Sequence, residues 1–241
     1  MLRTSSRRQR GVSLVELMVG LTVGLIIVAA AASVYITAVR GGADTLRSAK
    51  LNMELRRAMD LMVYEIRRAG YTAGTTNLAS NPFMLSGANL TLNGTDCLLF
   101  SYDINASGAV NTADFFGFRK NGSAISMRYG GTAPSTSAGC SVGSDSWEDI
   151  TDSTSVVVDT LSFSIAYQCW DAQTSSSSSS QACAPGQSVY DTAAAASTKS
   201  DLVEVRDVSI NLVGHHISDA LTTMSLSQSV KVRNDRVQTV P

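Results

Sequence analysis

The fold is decided by residues 12–39, which read VSLVELMVGLTVGLIIVAAAASVYITAV. This stretch carries one charged side chain, Glu16, and no proline. As a helix it would be about 42 Å long, which exceeds the roughly 30 Å hydrocarbon core of a bilayer. The stretch therefore predicts a helix that crosses a membrane, with residues 14–39 as the transmembrane part.

The charges around this helix predict its orientation. Arg3, Arg7, Arg8 and Arg10 precede the apolar stretch with no acid among them, and the whole chain has 19 Lys and Arg against 20 Asp and Glu. Without these four arginines the formal charge falls from -1 to -5. Because a basic flank stays in the cytoplasm, residues beyond about 40 are predicted to lie outside it. The acidic remainder disfavours nucleic acid as a partner.

Two simpler interpretations of the N-terminus are a secretory signal peptide, cleaved near Ala30–Ala32, and a plain single-pass anchor. The apolar stretch is about twice the usual 7–15 residues of a signal peptide. A carboxylate as deep as Glu16 costs a few kcal/mol in lipid unless it has a partner. Neither interpretation explains why the acid is there.

A family resemblance does explain it. Arg10-Gly11-Val12-Ser13-Leu14-Val15-Glu16-Leu17 resembles the class III signal of type IV prepilins. The resemblance implies that residues 1–11 are a leader, that prepilin peptidase cuts between Gly11 and Val12, and that the new amine of Val12 is methylated. Val12 stands where pilins usually have Phe. Glu16 would be the fifth residue of the mature chain and would pair with the terminal amine of a neighbouring subunit during assembly.

The rest of the chain predicts an α+β fold. Apolar residues at spacings of three and four, such as Leu51, Leu55, Met62 and Ile66, continue an amphipathic helix past the weak point Gly41-Gly42 to Ala69. Gly70 is the expected C-cap, so the helix is predicted over 12–70. Residues 71–241 are predicted to be an extracytoplasmic β-rich domain. The strands are expected at Cys97–Asp103, Phe115–Lys120, Ala124–Tyr129, Ser155–Gln168, Leu202–Gly214 and Ser225–Val240.

The segments between these strands are rich in Ser, Gly and Thr. Surface loops are expected at 72–95, 130–146 and 171–200, and the last of these contains the run Ser175–Ser180. Such a polar, repetitive run cannot pack into a core. An antiparallel sheet packed on the apolar stripe of the helix is the expected architecture.

Three further motifs resemble a narrower group. Tyr64–Tyr71, which reads YEIRRAGY, resembles the helix-ending signature of PilW-type minor pilins. Trp147–Phe163 and Val230–Asn234 are similar to strand motifs of that family and of its relative, the J-type minor pseudopilin of type II secretion. The resemblance implies a pilin-like fold, in which a long N-terminal helix, membrane-spanning in its first half, packs on an antiparallel β-sheet globular head.

The resemblance also implies a function in assembly. A minor pilin of this type helps to initiate and assemble type IV pili, in a tip or priming complex with other minor pilins. Its partners would be prepilin peptidase, the other minor pilins, the major pilin and the inner-membrane assembly machinery. It would reside in the bacterial inner membrane with its globular domain in the periplasm, and later in the pilus fibre at the cell surface.

Three alternatives to this function stay open on the sequence. A minor pseudopilin of type II secretion would carry the same signals. A DNA-uptake pilin could use the basic residues of the second half of the helix, but acids are interleaved with them. A secreted calcium-binding module or enzyme would require cleavage by ordinary signal peptidase.

The stretch Asp103–Asp114 matches the spacing of a calcium-binding loop. Side-chain or backbone oxygens fall at the ligand positions, and Gly108 takes the position of the sharp turn. The candidate ligands are Asp103, Asn105, Ser107, Ala109, Asn111 and Asp114. With two carboxylates instead of four, binding is expected to be weak, and the other interpretation is a loop that uses Asn and Asp in turns. No cofactor is expected to be required.

The four cysteines are expected to form disulfides if the body is exported. The favoured pairs are Cys97 with Cys140 and Cys169 with Cys183, among three pairings that the count allows; a zinc site is disfavoured because no C-x-x-C spacing occurs. The two histidines, His215 and His216, are adjacent and would point to opposite faces of a strand. No catalytic motif is present, so an enzyme is not expected.

Overall fold

A computed structural model describes residues 11–74, 80–85, 88–131, 140, 146–171 and 201–239. The chain divides into two compact units, Met1–Arg47 and Ser48–Pro241. Helix α1, Leu14–Ile66, begins in the first unit and ends in the second. The expected architecture, a long N-terminal apolar helix packed against antiparallel β-structure in an α+β fold, is confirmed.

In the first unit α1 is apolar all round. Every described residue from Gly11 to Arg40 is exposed, and the most apolar window of the helix has a mean hydropathy of 2.4. A helix that is apolar on all sides needs lipid or other helices around it. By length and composition this is a helix that can cross a membrane, as the sequence predicts.

The helix ends earlier than predicted. Its regular part stops at Ile66, and the next turn tightens, with the N–H of Arg68 donating to the carbonyl of Glu65 at 3.1 Å and that of Ala69 to Ile66 at 3.1 Å. Gly70 has φ 75°, the left-handed conformation expected of a residue that terminates a helix. The sequence predicts a helix to about Ala69; its regular part ends three residues earlier, and the N–H groups of Arg68 and Ala69 bond in a 3-10 type turn before Gly70.

The second unit contains two antiparallel sheets. The first has the strand order β1-β2-β3-β4-β5, with β1 at Thr91–Asn93, β2 at Cys97–Ser101, β3 at Phe115–Asn121, β4 at Ala124–Tyr129 and β5 at Trp147–Asp149. Short 3-10 helices at Pro82–Met84 and Thr112–Asp114 lie in its connections.

The second sheet is built from longer strands. They are β6 at Val156–Asp171, β7 at Asp201–His216, β8 at Asp219–Lys231 and β9 at Arg236–Thr239. Strand β7 pairs with β6 along one side, and with β8 and then β9 along the other.

Two details of the β-structure differ from the expectation. The single strand expected at Ser225–Val240 is two strands, because the chain leaves the ladder after Val232, and Arg233 and Asn234 contact the end of α1. Strands β1 and β5 lie in segments expected to be loops or outside the predicted strands, and each has three residues. Elements this short carry too little alternation to be found by periodicity.

The core lies between the C-terminal part of α1 and the two sheets. Leu51, Leu55, Met62 and Ile66 are at most 2% exposed and form the helix side of it, as the spacing of apolar residues predicts. The sheets contribute Phe100, Phe118, Leu161, Phe163, Val208, Ile210 and Leu212, which are all buried.

Candidate processing and assembly site

The bond between Gly11 and Val12 lies in non-helical chain immediately before α1. Gly11 is exposed, and Val12 is 68% exposed. A bond inside a helix would be held by the backbone ladder, whereas this one precedes the first turn. The bond that the resemblance marks for cleavage is thus accessible.

Ser13 sets the start of the helix. Its Oγ accepts a hydrogen bond from the N–H of Glu16 at 3.2 Å, and its carbonyl accepts one from Leu17 at 3.1 Å. This is N-capping, in which a serine satisfies one of the first backbone N–H groups of a helix. The cap places Glu16 in the first turn, where a carboxylate is favoured by the helix dipole.

Three hydroxyl groups in the apolar part of α1 are satisfied within the helix. Thr22, Ser33 and Thr37 each donate their hydroxyl to a carbonyl three or four residues earlier, at 2.8–3.0 Å. Such bonds remove the cost of placing a hydroxyl in lipid. The carboxylate of Glu16, in contrast, has no hydrogen bond or ion pair among the described residues, and as the one charged group of residues 12–39 it has the largest cost in lipid without an external partner.

In the second unit the helix-ending motif Tyr64–Tyr71 meets the motif Val230–Asn234. The N–H of Arg233 donates to the carbonyl of Arg67 at 3.1 Å. The Nδ2 of Asn234 donates to the carbonyls of Arg68 and Ala69 at 3.2 and 3.1 Å. The carbonyl of Arg68 also accepts from the N–H of Tyr71 at 3.0 Å, whereas those of Arg67 and Ala69 are bonded here by the second motif, so the two motifs form one structural feature, the C-cap of α1.

The side chain of Arg206, in β7, also contacts this cap. Its side chain is buried, with Nη2 donating to the carbonyl of Asn234 at 2.6 Å and Nη1 to Oδ1 of Asn89 at 2.6 Å. A Cβ at Gly70 would come within 3.3 Å of Nη2, so the guanidinium lies at the C-terminal, electronegative end of the helix. Burial lowers the pKa of Arg206, and the charge of Glu204 opposes that shift.

The sequence interpretation did not single out Arg206. The sequence did contain an indication of its burial. Arg206 lies two, four and six positions before Val208, Ile210 and Leu212 in a predicted strand. Alternate residues of a strand lie on the same face of the sheet, so this spacing puts the arginine on the core side of β7. Burial of a cation in the core requires partners, which here are supplied by distant residues.

A second polar contact joins the helix to the first sheet. The phenol of Tyr102 donates to Oε2 of Glu65 at 2.6 Å, and the guanidinium of Arg68 lies 4.1 Å from the Tyr102 ring centroid. The ring stacks on Phe116 with centroids 4.1 Å apart. Burial and the hydrogen bond to Glu65 raise the pKa of Tyr102 well above its usual range, so the phenol stays a neutral donor.

The loop predicted as a calcium site is held by its own backbone. Oδ1 of Asp103 accepts from the N–H of Ser107 at 2.9 Å, and Oδ2 accepts from Gly108 at 2.9 Å and from Ala73 at 3.2 Å. The carboxylate of Asp114 accepts from the N–H groups of residues 104 and 111 at 3.1 and 2.8 Å.

The remaining candidate ligands take part in the turns of this loop. The side chains of Asn105 and Asn111 accept backbone N–H groups, and the Ser107 hydroxyl donates to the carbonyl of Ala109 at 2.9 Å. These bonds compete with a cation for the same oxygens. Calcium binding at this loop stays a prediction.

Replacing Asp103 with Asn should lower the melting temperature of the full chain by several degrees, roughly 2–4 °C for each kcal/mol lost. Burial raises the pKa of Asp103, but hydrogen bonds from Gly108, Ala73 and Ser107 lower it more, so the net pKa lies below its ordinary value. A carboxyl group with a lowered pKa stabilises the fold above its unfolded pKa of about 4 and loses that effect as the pH falls through its folded pKa.

The difference between the Asn variant and the unchanged chain should therefore be full at pH 7 and shrink below about pH 4. Thermal melting in detergent at several pH values measures it. The exposed Asp60→Asn serves as the control, and an equal loss in both variants contradicts the role given to the buried carboxylate. Melting with millimolar calcium tests the metal: a rise in the unchanged chain that Asp103→Asn abolishes supports the site, and no rise in the unchanged chain ends the idea.

Cys97 and Cys140 form a disulfide, which is the first of the two expected pairs. Beside it, Nη1 of Arg119 donates to the carbonyl of Cys140 at 2.6 Å, and its guanidinium lies 4.2 Å from the ring centroid of Trp147. The second expected pair, Cys169 with Cys183, lies outside the described residues, since the side chain of the first and the whole of the second are not described.

The two histidines have different partners. Nδ1 of His215 is 2.8 Å from Oδ2 of Asp159, whereas Nδ1 of His216 accepts from the N–H of Ser218 at 3.1 Å. Within the part of the chain that the structure describes, no group of three or more His, Cys, Asp or Glu side chains could hold a metal ion.

Comparison with protein families places these features together. The family model described as "Prepilin peptidase-dependent protein B" matches residues 44–232, and the one described as "Prokaryotic N-terminal methylation motif" matches residues 6–32. The second match contains Gly11, Val12 and Glu16, and the first contains Tyr64–Tyr71 and ends at Val232, within Val230–Asn234. No curated protein and no solved structure matches the chain.

Proposed function

The chain belongs to the prepilin peptidase-dependent protein B family, and from that premise we propose that it is a minor pilin of the PilW type. It is a type IV pilin-like protein with an N-terminal methylation motif and is processed by prepilin peptidase. The family is pilin-like and generally non-enzymatic. Its apolar helix and prepilin signal are consistent with anchoring in the inner membrane before assembly.

One observation carries the proposal: an accessible Gly11-Val12 bond stands directly before a capped apolar helical segment, 14–39, whose one carboxylate has no partner among the described residues. In a plain anchor the helix dipole would favour this acid by only about 0.3–1 kcal/mol, less than the few kcal/mol that an unpartnered carboxylate costs in lipid. A subunit that moves from lipid into a bundle of similar helices gains a position-specific contact from it.

The proposed sequence of events follows from these residues. Prepilin peptidase removes the leader 1–11 at the cytoplasmic face, and Val12 becomes the methylated N-terminal residue. The segment 14–39 of the mature helix holds the subunit in the bilayer, while residues 71–241 form the domain in the periplasm. During assembly Glu16 pairs with the amine of an adjacent subunit, and the subunit enters a tip or priming complex with other minor pilins.

A minor pseudopilin of type II secretion is the second candidate, because the same N-terminal signals serve both systems. Deletion of the gene distinguishes them. We expect that surface pili, recovered by shearing and measured by immunoblot of the major pilin, are strongly reduced while secretion of a type II substrate is unchanged. Normal pili together with defective secretion would mean that the chain is a pseudopilin.

Intact mass of the mature protein separates both candidates from a secreted module. A chain that begins at Val12 and carries one added methyl group fits either pilin-like function. A chain that begins near Ser33 has been cut by ordinary signal peptidase, and that result would exclude assembly through Glu16. Complementation of the deletion with the unchanged gene is the control for the pilus count.

A further inference from the structure

The second sheet has one long edge that no described strand covers. Strand β8 pairs with β7 on one side, and among the described residues nothing pairs with its other side. The other edges differ from it. Strands β1 and β5 have three residues each. Along the outer edge of β6, the N–H of Val158 donates to the carbonyl of Ser123 at 2.8 Å, and the N–H of Phe163 donates to the carbonyl of Thr95 at 2.7 Å.

The residues of β8 do not protect this edge. From Ala220 to Val230 the strand has no charge and no proline, which are the usual devices that keep an exposed edge from pairing. A register shift between His215 and His216 disturbs only the hairpin end, and pairing with β7 is regular from Thr223 to Lys231. Nine consecutive residues therefore form a regular ladder beside the open edge.

The register shows which backbone groups point outward. The N–H of Val232 donates to the carbonyl of Arg206 at 2.9 Å, which continues the β7–β8 register by one residue. In an antiparallel ladder hydrogen-bonded pairs alternate with non-bonded pairs. The even residues of β8 thus bond to β7, and the odd residues direct their N–H and C=O away from it. These are Thr223, Ser225, Ser227, Ser229 and Lys231.

The side chains of β8 define what an added strand needs. Met224 and Leu226 are half-buried and pack against the core at its margin, so their outer sides are uncovered. On the opposite face Thr223, Ser225, Ser227 and Ser229 are exposed. A strand beside β8 must present apolar side chains on the first face and small polar ones on the second. An acid opposite Lys231 would add a charge pair.

From this the geometry points to the outer edge of β8 as a site of β-strand addition, occupied by an extended segment of another polypeptide with alternating apolar and small polar residues. Backbone groups arranged as a strand edge are recognised by another strand, so the occupant is a peptide and not a small molecule. The site is independent of the assembly role of Glu16, which lies in the other unit.

A designed peptide tests the edge without altering the protein. The peptide Glu-Val-Thr-Val-Thr-Val-Thr-Val-Thr is designed to pair antiparallel with β8. Its Glu then lies opposite Lys231, and its fifth residue, a Thr, lies opposite Ser227. We expect saturable binding of the fluorescent peptide to the full chain in detergent, measured by anisotropy. N-methylation of that Thr removes an N–H that faces β8 and should weaken binding about tenfold or more.

N-methylation of the Val before that Thr is the matched control, since its N–H points away from β8, and it should change the affinity by less than about threefold. In the protein, Ser227→Pro removes an outward N–H without breaking the β7–β8 ladder, and an edge strand tolerates proline. It should weaken binding as much as the methylated Thr does, while the melting temperature stays close to that of the unchanged chain.

Three results would overturn the proposal. The first is that the peptide does not bind at millimolar concentration. The second is that both methylated peptides bind equally, which would mean contact through side chains alone. The third is concentration-dependent self-association of the full chain that Ser227→Pro abolishes, since a second copy of β8 would then occupy the edge.

Discussion

Replacing Glu16 with Gln should leave the chain processed and its β-rich unit folded, but lower its incorporation into sheared filaments at least about tenfold. The change removes one negative charge and keeps the size of the side chain. In residues 12–39 this carboxylate is the one charged group and has no partner among the described residues, while the hydroxyls of Thr22, Ser33 and Thr37 bond within the helix. The effect should therefore appear only when another subunit supplies the partner.

The magnitude follows from the environment in the filament. Breaking a buried ion pair by removing one partner costs roughly 3–5 kcal/mol, and each 1.4 kcal/mol corresponds to about a factor of ten. Gln can still form a hydrogen bond with an amine, so we expect a loss in free energy at the lower end of this range. Incorporation is measured by quantitative mass spectrometry of the sheared fibre against the membrane pool.

A matched control is Glu148→Gln, the same chemical change at an exposed residue of β5. It should incorporate like the unchanged chain. If Glu16→Gln also does so, the carboxylate has no role in subunit pairing. If it accumulates with the leader still attached, the residue acts in processing, and intact mass distinguishes that outcome from a defect in assembly.

The N-terminal features were predictable because they are local. The signal around Gly11 and the cap by Ser13 each depend on residues within one or two turns of α1. The apolar stripe of Leu51, Leu55 and Met62 follows from helical periodicity, and alternation found most of the long strands. Positions of this kind are readable because the residues that determine them are neighbours in the sequence.

The end of α1 was predicted less well because distant residues determine it. Asn234 reaches carbonyls of residues 68 and 69 from the far end of the chain. The same contact explains the error over Ser225–Val240, since the chain leaves the sheet after Val232 and Arg233 and Asn234 form the cap. Composition of this segment fits a strand throughout, and nothing local marks the interruption.

The loop Asp103–Asp114 shows a different limit. Spacing correctly predicted a compact loop rich in acceptors, but spacing does not tell whether an oxygen faces a cation or a backbone N–H. The two carboxylates accept backbone N–H groups, one of them from Ala73 in another loop. A contact of that kind depends on tertiary structure, so the sequence could indicate the oxygens but not their partners.

Replacing Arg206 with Met should be the most destabilising single change in the second unit, lowering the free energy of unfolding by about 3–5 kcal/mol and the melting temperature by at least roughly 6 °C. The substitution keeps an unbranched apolar side chain but removes the donor to the carbonyl of Asn234 and one of two donors to Oδ1 of Asn89, which also accepts from the N–H of Leu90 at 2.8 Å. It also removes a cation whose charge interacts with the buried Glu204, a carboxylate that lies 3.5 Å from Nη1 of Arg236.

Arg233→Met is the matched control, because it removes the same charge from an exposed side chain while the cap uses only the backbone N–H of Arg233. It should lie within about 0.5 kcal/mol of the unchanged chain. Urea unfolding followed by tryptophan fluorescence measures both. A similar loss in the two variants would mean that net charge, and not the buried guanidinium, is responsible.

A double variant tests whether Arg206 acts through the helix cap. Asn234→Ala alone should destabilise the second unit, because the carbonyl of Ala69 loses its donor and that of Arg68 loses one of two, the other being the N–H of Tyr71. If Arg206 holds Asn234 in place, the combined variant should lose less than the sum of the two single losses, by about 0.5 kcal/mol or more, since residues of one network do not act independently. If the losses in free energy of unfolding of the two single variants are additive, Arg206 does not act through the cap. Its contribution to stability would then come from Asn89 and Glu204 alone.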